Sequence, residues 1–100
     1  MILLLSVIIR EIPLGDTPFL FSFSKDSGLC ICEINTDHIY YENFVEKMGD
    51  SARTTFQLLI ASFVRATDEA PRDKRSTYRS IMHEWNYKMN KYISKYLGIN

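Results

Sequence analysis

An α+β fold is predicted by the order in which two periodicities occur along the chain. The first forty residues run apolar or alternate in the manner of strands, and the last sixty repeat apolar residues at helical spacing. A third observation is size. One hundred residues, 46% apolar and 13% aromatic, suit one small domain (1–100) with a modest core and are too aromatic for a disordered coil. The expected architecture is a small antiparallel sheet of about three strands, followed by three helices packed on one of its faces.

Leu3 to Ile12 is a continuous apolar run rich in Ile, Val and Leu, and Pro13 and Gly15-Asp16 end it. It has no basic leader and no small-residue cleavage site, and it is too short to span a bilayer. It therefore reads as a buried strand. Because that strand begins at once, the chain reads as a fragment or as one element of a larger assembly. In "PFLFSFS" (18–24), Phe19, Phe21 and Phe23 alternate with Leu20, Ser22 and Ser24, the period of a strand with one buried face. "KDSG" is a hairpin turn signal, and "LCICEI" (29–34) is the third strand.

Thr36 or Asp37 is placed to cap a helix over 38–48 with apolar positions Tyr40, Tyr41, Phe44, Val45 and Met48. Gly49 stops it. A second helix over 51–66 carries Ala52, Phe56, Leu59, Ile60, Phe63 and Ala66 in one stripe. The linker "TDEAPRD" leads to a third helix over 71–97, with Pro71 in its first turn and Gly98 at its end. Its apolar stripe runs through Tyr78, Ile81, Met82, Trp85, Met89, Tyr92, Ile93 and Tyr96, with Trp85 expected at the buried centre. His83 and Tyr87 fall on its outer face.

Net charge is zero, but residues 1–50 hold eight acidic and three basic groups and residues 51–100 hold four and nine. Two halves that attract each other within one fold is the favoured account, and a basic nucleic-acid-binding half is the alternative. Arg72, Arg75 and Arg79 flank one side of the last helix's stripe, and Lys88, Lys91 and Lys95 flank the other. Such cations border a buried stripe with their stems on apolar surface and their heads in water, and they form no single phosphate ridge.

Chemistry-bearing residues are few. Cys30 and Cys32 share one face of a strand at a spacing poorly suited to a disulfide, so they read as buried reduced thiols of an intracellular, cytoplasmic protein. No second Cys pair or close His pair completes a metal site around them and His38, and the four glycines are isolated rather than gathered in a phosphate loop. No cofactor, metal or catalytic residue is assigned.

The densest polar stretch is "INTDH", Ile34 to His38. Asp37 and His38 are adjacent, so their side chains diverge at a helix start, and no Ser or Cys stands at a defined spacing to them. Asn35, Thr36, Asp37 and His38 read as a capping turn or interaction motif rather than a catalytic loop. A small enzyme using His38 with Asp37 or Cys30 is the minor alternative.

"EINTDHIYYENF" resembles a segment of bacterial ATP-binding proteins of the gyrase, MutL and histidine-kinase (GHKL) superfamily. There, a strand ending in an Ile-Asn-Thr-x-His-type motif follows the nucleotide-binding module and leads into helices. The resemblance covers about residues 17–67, with "PFLFSFSKDSG" as the preceding hairpin and "FQLLIASFVRA" as the following helix. Ile39 stands where the pattern has Pro, and the superfamily's ATP-contacting boxes are absent from this sequence. What the resemblance implies is a region outside the nucleotide site: a non-catalytic interaction or coupling module of a larger ATPase-type assembly. Strand one, apolar on both sides, supplies the expected surface for another chain or another copy, with Val7, Ile8 and Ile9 as candidate contacts together with His83 and Tyr87. Membrane partners are not expected.

Overall fold

The apolar run at the start of the chain is not one strand but a hairpin. In the computed structural model, which describes residues 1–98, it folds into β1 (Ile2–Leu4) and β2 (Val7–Ile12), joined by a two-residue turn at Leu5 and Ser6. Both turn residues have positive φ, 52° and 62°, the geometry whose twist matches a tight antiparallel pair. Each non-glycine residue held there costs about 1–2 kcal/mol. Ser6 is the only polar residue between Ile2 and Ile9, and it marks the turn. A second hairpin of the same kind follows. β3 (Phe21–Asp26) and β4 (Leu29–Asn35) meet at Ser27 and Gly28, with φ of 53° and 80°.

The two hairpins lie side by side in the order β1-β2-β4-β3, and the inner strands β2 and β4 run parallel, Val7 opposite Cys30 through Ile12 opposite Asn35. The α+β class is as expected. Four strands replace the expected three, and the sheet is mixed rather than antiparallel. Loop 13–20 together with β3 provides the long connection that a parallel pair requires.

One face of the sheet is covered. Val7, Ile9, Phe21, Phe23, Cys30, Cys32 and Ile34 point into the core, where they meet Tyr41, Val45, Phe56, Ile60, Ala61, Val64 and Met82 of the helical layer. That layer consists of α1 (Ile39–Asn43) with a 3-10 turn at Val45–Lys47, α2 (Asp50–Asp68), a second 3-10 turn at Arg72–Lys74, and α3 (Arg75–Leu97). Pro71 precedes the second 3-10 turn rather than opening α3, and Gly98 closes α3 in the left-handed conformation with φ of 73°.

The inward face of α3 is rotated from the expected one. Met82 and Asn86 are buried, with Met89 and Ile93 partly buried beside them, whereas Trp85 is 41% exposed. The aromatic residues drew the expected stripe towards Trp85, but the chain buries a narrower line one position away. Trp85 packs at a tilt against Phe21 and Phe63, at ring distances of 6.0 and 5.9 Å.

The charge asymmetry is not resolved by ion pairing between the halves. Among the described residues, one ion pair joins them, Lys25 to Asp68 at 3.3 Å, with the base in the acidic half. The arginines of the basic half serve other ends. Arg53 donates to the Val45 and Glu46 carbonyls, Arg65 to the Leu5 carbonyl and Arg75 to the Ala70 carbonyl, while Arg79 lies 4.6 Å over the Phe23 ring.

Candidate functional site

The polar stretch at the end of β4 forms a corner where three segments meet: loop 13–20, the strand end and the start of α1. Backbone bonds set the frame. Asn35 N–H donates to the Leu20 carbonyl (2.7 Å), Thr36 N–H to Ile12 (3.0 Å) and His38 N–H to Asn35 (3.2 Å). The side chains complete it. Asn35 is fully buried, and its Oδ1 accepts from the N–H groups of Leu14 (2.8 Å) and Asp37 (3.0 Å) while its Nδ2 donates to the Gly15 carbonyl (3.1 Å). Asp37 Oδ2 accepts from Gly15 N–H at 2.9 Å.

His38, rather than Thr36 or Asp37, caps α1. Its Nδ1 accepts the Tyr40 N–H at 3.0 Å, which assigns the ring proton to Nε2, 3.1 Å from the Pro18 carbonyl that accepts it. Burial lowers the pKa of His38 below its ordinary value, and the bond to the Pro18 carbonyl pulls the other way by less. A neutral imidazole with both nitrogens engaged is therefore built into the wall between loop and helix. The expectation of a cap is met by a different residue because Asp37 turns back to hold the loop.

Chemical partners for this histidine do not converge on it. Cys30 lies at the far end of β4, five residues or roughly 16 Å of strand from Asn35. The two thiols are buried and free. Burial raises both, Cys30 with help from Asp68, and Cys32 is pushed up to about 12 by burial first and then by Cys30 and Glu33. Both therefore stay protonated at neutral pH. Among the described residues, no group of three His, Cys, Asp or Glu side chains could hold a metal ion.

The other candidate residues divide. Val7 and Ile9 are each 1% exposed and face the chain's own helices, so they are core residues and not contact residues for another chain. Alternation along β2 sends Ile8 to the opposite, open face of the sheet, in register with Leu3 on β1 and Ile31 on β4. His83 and Tyr87 are exposed, as expected. His83 packs against Phe19 at a ring distance of 4.7 Å, and His83 and Tyr87 line an open groove of about 500 Å³ with Phe19, Arg79, Ser80 and Glu84.

Two features escaped the sequence reading. Asn86 is 1% exposed, and its Oδ1 accepts the N–H groups of Leu20 (3.0 Å) and Phe21 (3.3 Å), pinning the start of β3 to α3. Its signal was a polar residue in line with Met82, Met89 and Ile93. Glu11 reaches the covered side beside Tyr41 and Arg53. Burial first, and Glu11 next, raises the Tyr41 hydroxyl, while Arg53 opposes them.

No family model, curated protein or solved structure matches the chain. No helix among the described residues is long and apolar enough to cross a membrane.

Proposed function

We propose that the chain is a non-catalytic interaction module that couples to another protein chain of a larger, ATPase-type assembly in the cytoplasm. The observation that carries the reading is the open face of the sheet. Leu3, Ile8 and Ile31 form one row across three strands, Leu3 is 68% exposed, and Leu29 projects at 52% on the same side. An apolar row on the uncovered face of a central strand calls for another surface to lie on it. The polar corner supports the same reading, because Asn35, Asp37 and His38 spend their hydrogen bonds on the chain's own backbone. The GHKL-like "INTDH" segment supplies the ATPase context, and the buried reduced thiols suit a reducing compartment.

A native purification of the tagged chain tests this reading. Wild type should copurify with an ATP-binding polypeptide, and Ile8→Lys or Ile31→Lys should lose it while keeping the same thermal melt. Recovery of the chain without any such partner, or equal recovery by the Lys variants, would overturn the reading. A nucleic-acid-binding reading draws on the aromatic and cationic groove of Phe19, Arg79, His83 and Tyr87, but Glu84 lines that groove too. Salt-dependent retention of single strands by wild type, lost in Arg79→Ala, would favour it.

A further inference from the structure

The helical layer covers the sheet with its inner side and leaves several large apolar side chains on its outer side. Residues 54–64 of α2, "TTFQLLIASFV", hold no charged side chain in three turns, so the solvent side of that segment is uncharged as well as its core side. Leu59 stands out of it at 69% exposure. Beside it, α3 presents a second apolar line distinct from the one that faces the sheet: Tyr78, Ile81, Trp85 and Tyr92, exposed by 40%, 55%, 41% and 62%. Their spacing follows the three-four rhythm of a helix seam, with Lys88 at the position between Trp85 and Tyr92.

We propose that this surface pairs with the same surface of a second copy of the chain. The two helical layers then form a four-helix core with a sheet on each outer side. The proposal rests on the interaction reading above but uses a different surface from the sheet face.

Three observations select a second copy as the occupant. The first is charge. A two-fold axis sets each face against itself, so any charge near the axis would meet its own like. The central turns of α2 carry none, and Lys88, which falls in the α3 seam between Trp85 and Tyr92, is paired with Glu84 at 3.0 Å. The second is shape. Leu59 projects at the rim of a cleft of about 170 Å³ between α2 and α3, which Tyr40, Phe56, Trp85 and Met89 also line. A two-fold pairing would seat the Leu59 of each copy in the cleft of the other. The third is area. Large side chains offer about 150–250 Å² each. Half-exposed Leu59, Tyr78, Ile81, Trp85 and Tyr92 thus supply on the order of 500 Å², more than half of the roughly 800 Å² that each side of a stable pair contributes.

Sedimentation equilibrium at micromolar concentration tests the proposal, with the emission of Trp85, the single tryptophan, as a second readout. Wild type should show twice the chain mass, and its emission should shift blue as concentration rises. Leu59→Lys and, separately, Ile81→Lys should weaken association by about tenfold or more. Both positions are exposed, and circular dichroism would confirm that each variant keeps its helices. Ile8→Lys should remain a dimer even where it loses the sheet-face partner, so the two readings fail separately. A wild type that stays monomeric with concentration-independent emission, or a dimer untouched by both helix substitutions, would overturn the proposal.

Discussion

The corner at Asn35–His38 and the outer surface of α2 and α3 invert the usual distribution of polar and apolar groups. At the corner, an amide and an imidazole are buried and satisfied by backbone groups of the same chain. On the helices, Leu59, Ile81 and Tyr92 stand in solvent. A cluster of polar residue types in a sequence suggests chemistry, yet here it closes the fold. An apolar helix stripe suggests core, yet here part of it is surface. The energetic consequences differ accordingly, because a buried polar group that loses its partner is penalised fully, whereas an exposed apolar group contributes little until something covers it.

Asn35→Ala gives the sharpest form of the contrast. It strips partners from Leu14 N–H, Asp37 N–H and the Gly15 carbonyl. At about 1–3 kcal/mol for each orphaned group, relieved in part by water at the loop, a loss of about 3 kcal/mol is expected in urea unfolding. A loss under about 1 kcal/mol would mean that the loop relaxes and that the corner is not the clamp described. Trp85→Ala should cost the monomer about 2 kcal/mol, roughly half of what a fully buried aromatic loses, because close to half of the residue is already in water. A cost as large as that of Phe21→Ala would show that Trp85 is covered in solution.

Acid acts on the corner through His38. Burial holds the folded pKa of His38 below 6.5, so the unfolded chain takes up the proton more readily than the folded one. The stabilisation from neutral His38 is therefore complete above pH 6.5 and is lost as pH falls from there through the lower folded value. In His38→Asn, a cap that does not titrate, the midpoint of urea unfolding should depend less on pH across this window. An unchanged profile would place the titration elsewhere. The smallest effect belongs to Leu59→Lys, expected within about 0.5 kcal/mol for the isolated chain. Dilute samples, in which association is absent, are the right condition for measuring it.

Period and turn chemistry made most of the fold legible. Phe21 and Phe23 alternate with serines and do bury one face, Gly98 does end α3, and Cys30 and Cys32 do share the covered side. What was not legible depended on contacts distant in sequence. A two-residue turn at Leu5-Ser6 has no glycine to announce it. The parallel pairing of β2 with β4 is set by where loop 13–20 is tied, and that depends on Asn35 and Asp37 reaching across about twenty residues. The phase of α3 was misread because hydrophobicity points to Trp85, while the backbone donors of Leu20 and Phe21 require Asn86 inside. At the corner, the sequence indicated that a cap was needed but not that Asp37 would be drawn away and His38 left to provide it.

The pairing of two tight hairpins through their second strands has a consequence for the order of assembly. Each hairpin closes over two residues and can form alone within about 1–10 μs. The central β2–β4 ladder joins residues 23 apart, from Val7 opposite Cys30 onward, and must wait until both hairpins and the intervening loop are positioned. The two hairpins are therefore expected to form locally first, with their docking the slower step. In kinetic terms, substitutions in either turn change a pre-equilibrium, whereas Asn35 and Asn86, which fasten the loop and α3 only after docking, govern how long the native state lasts before it opens.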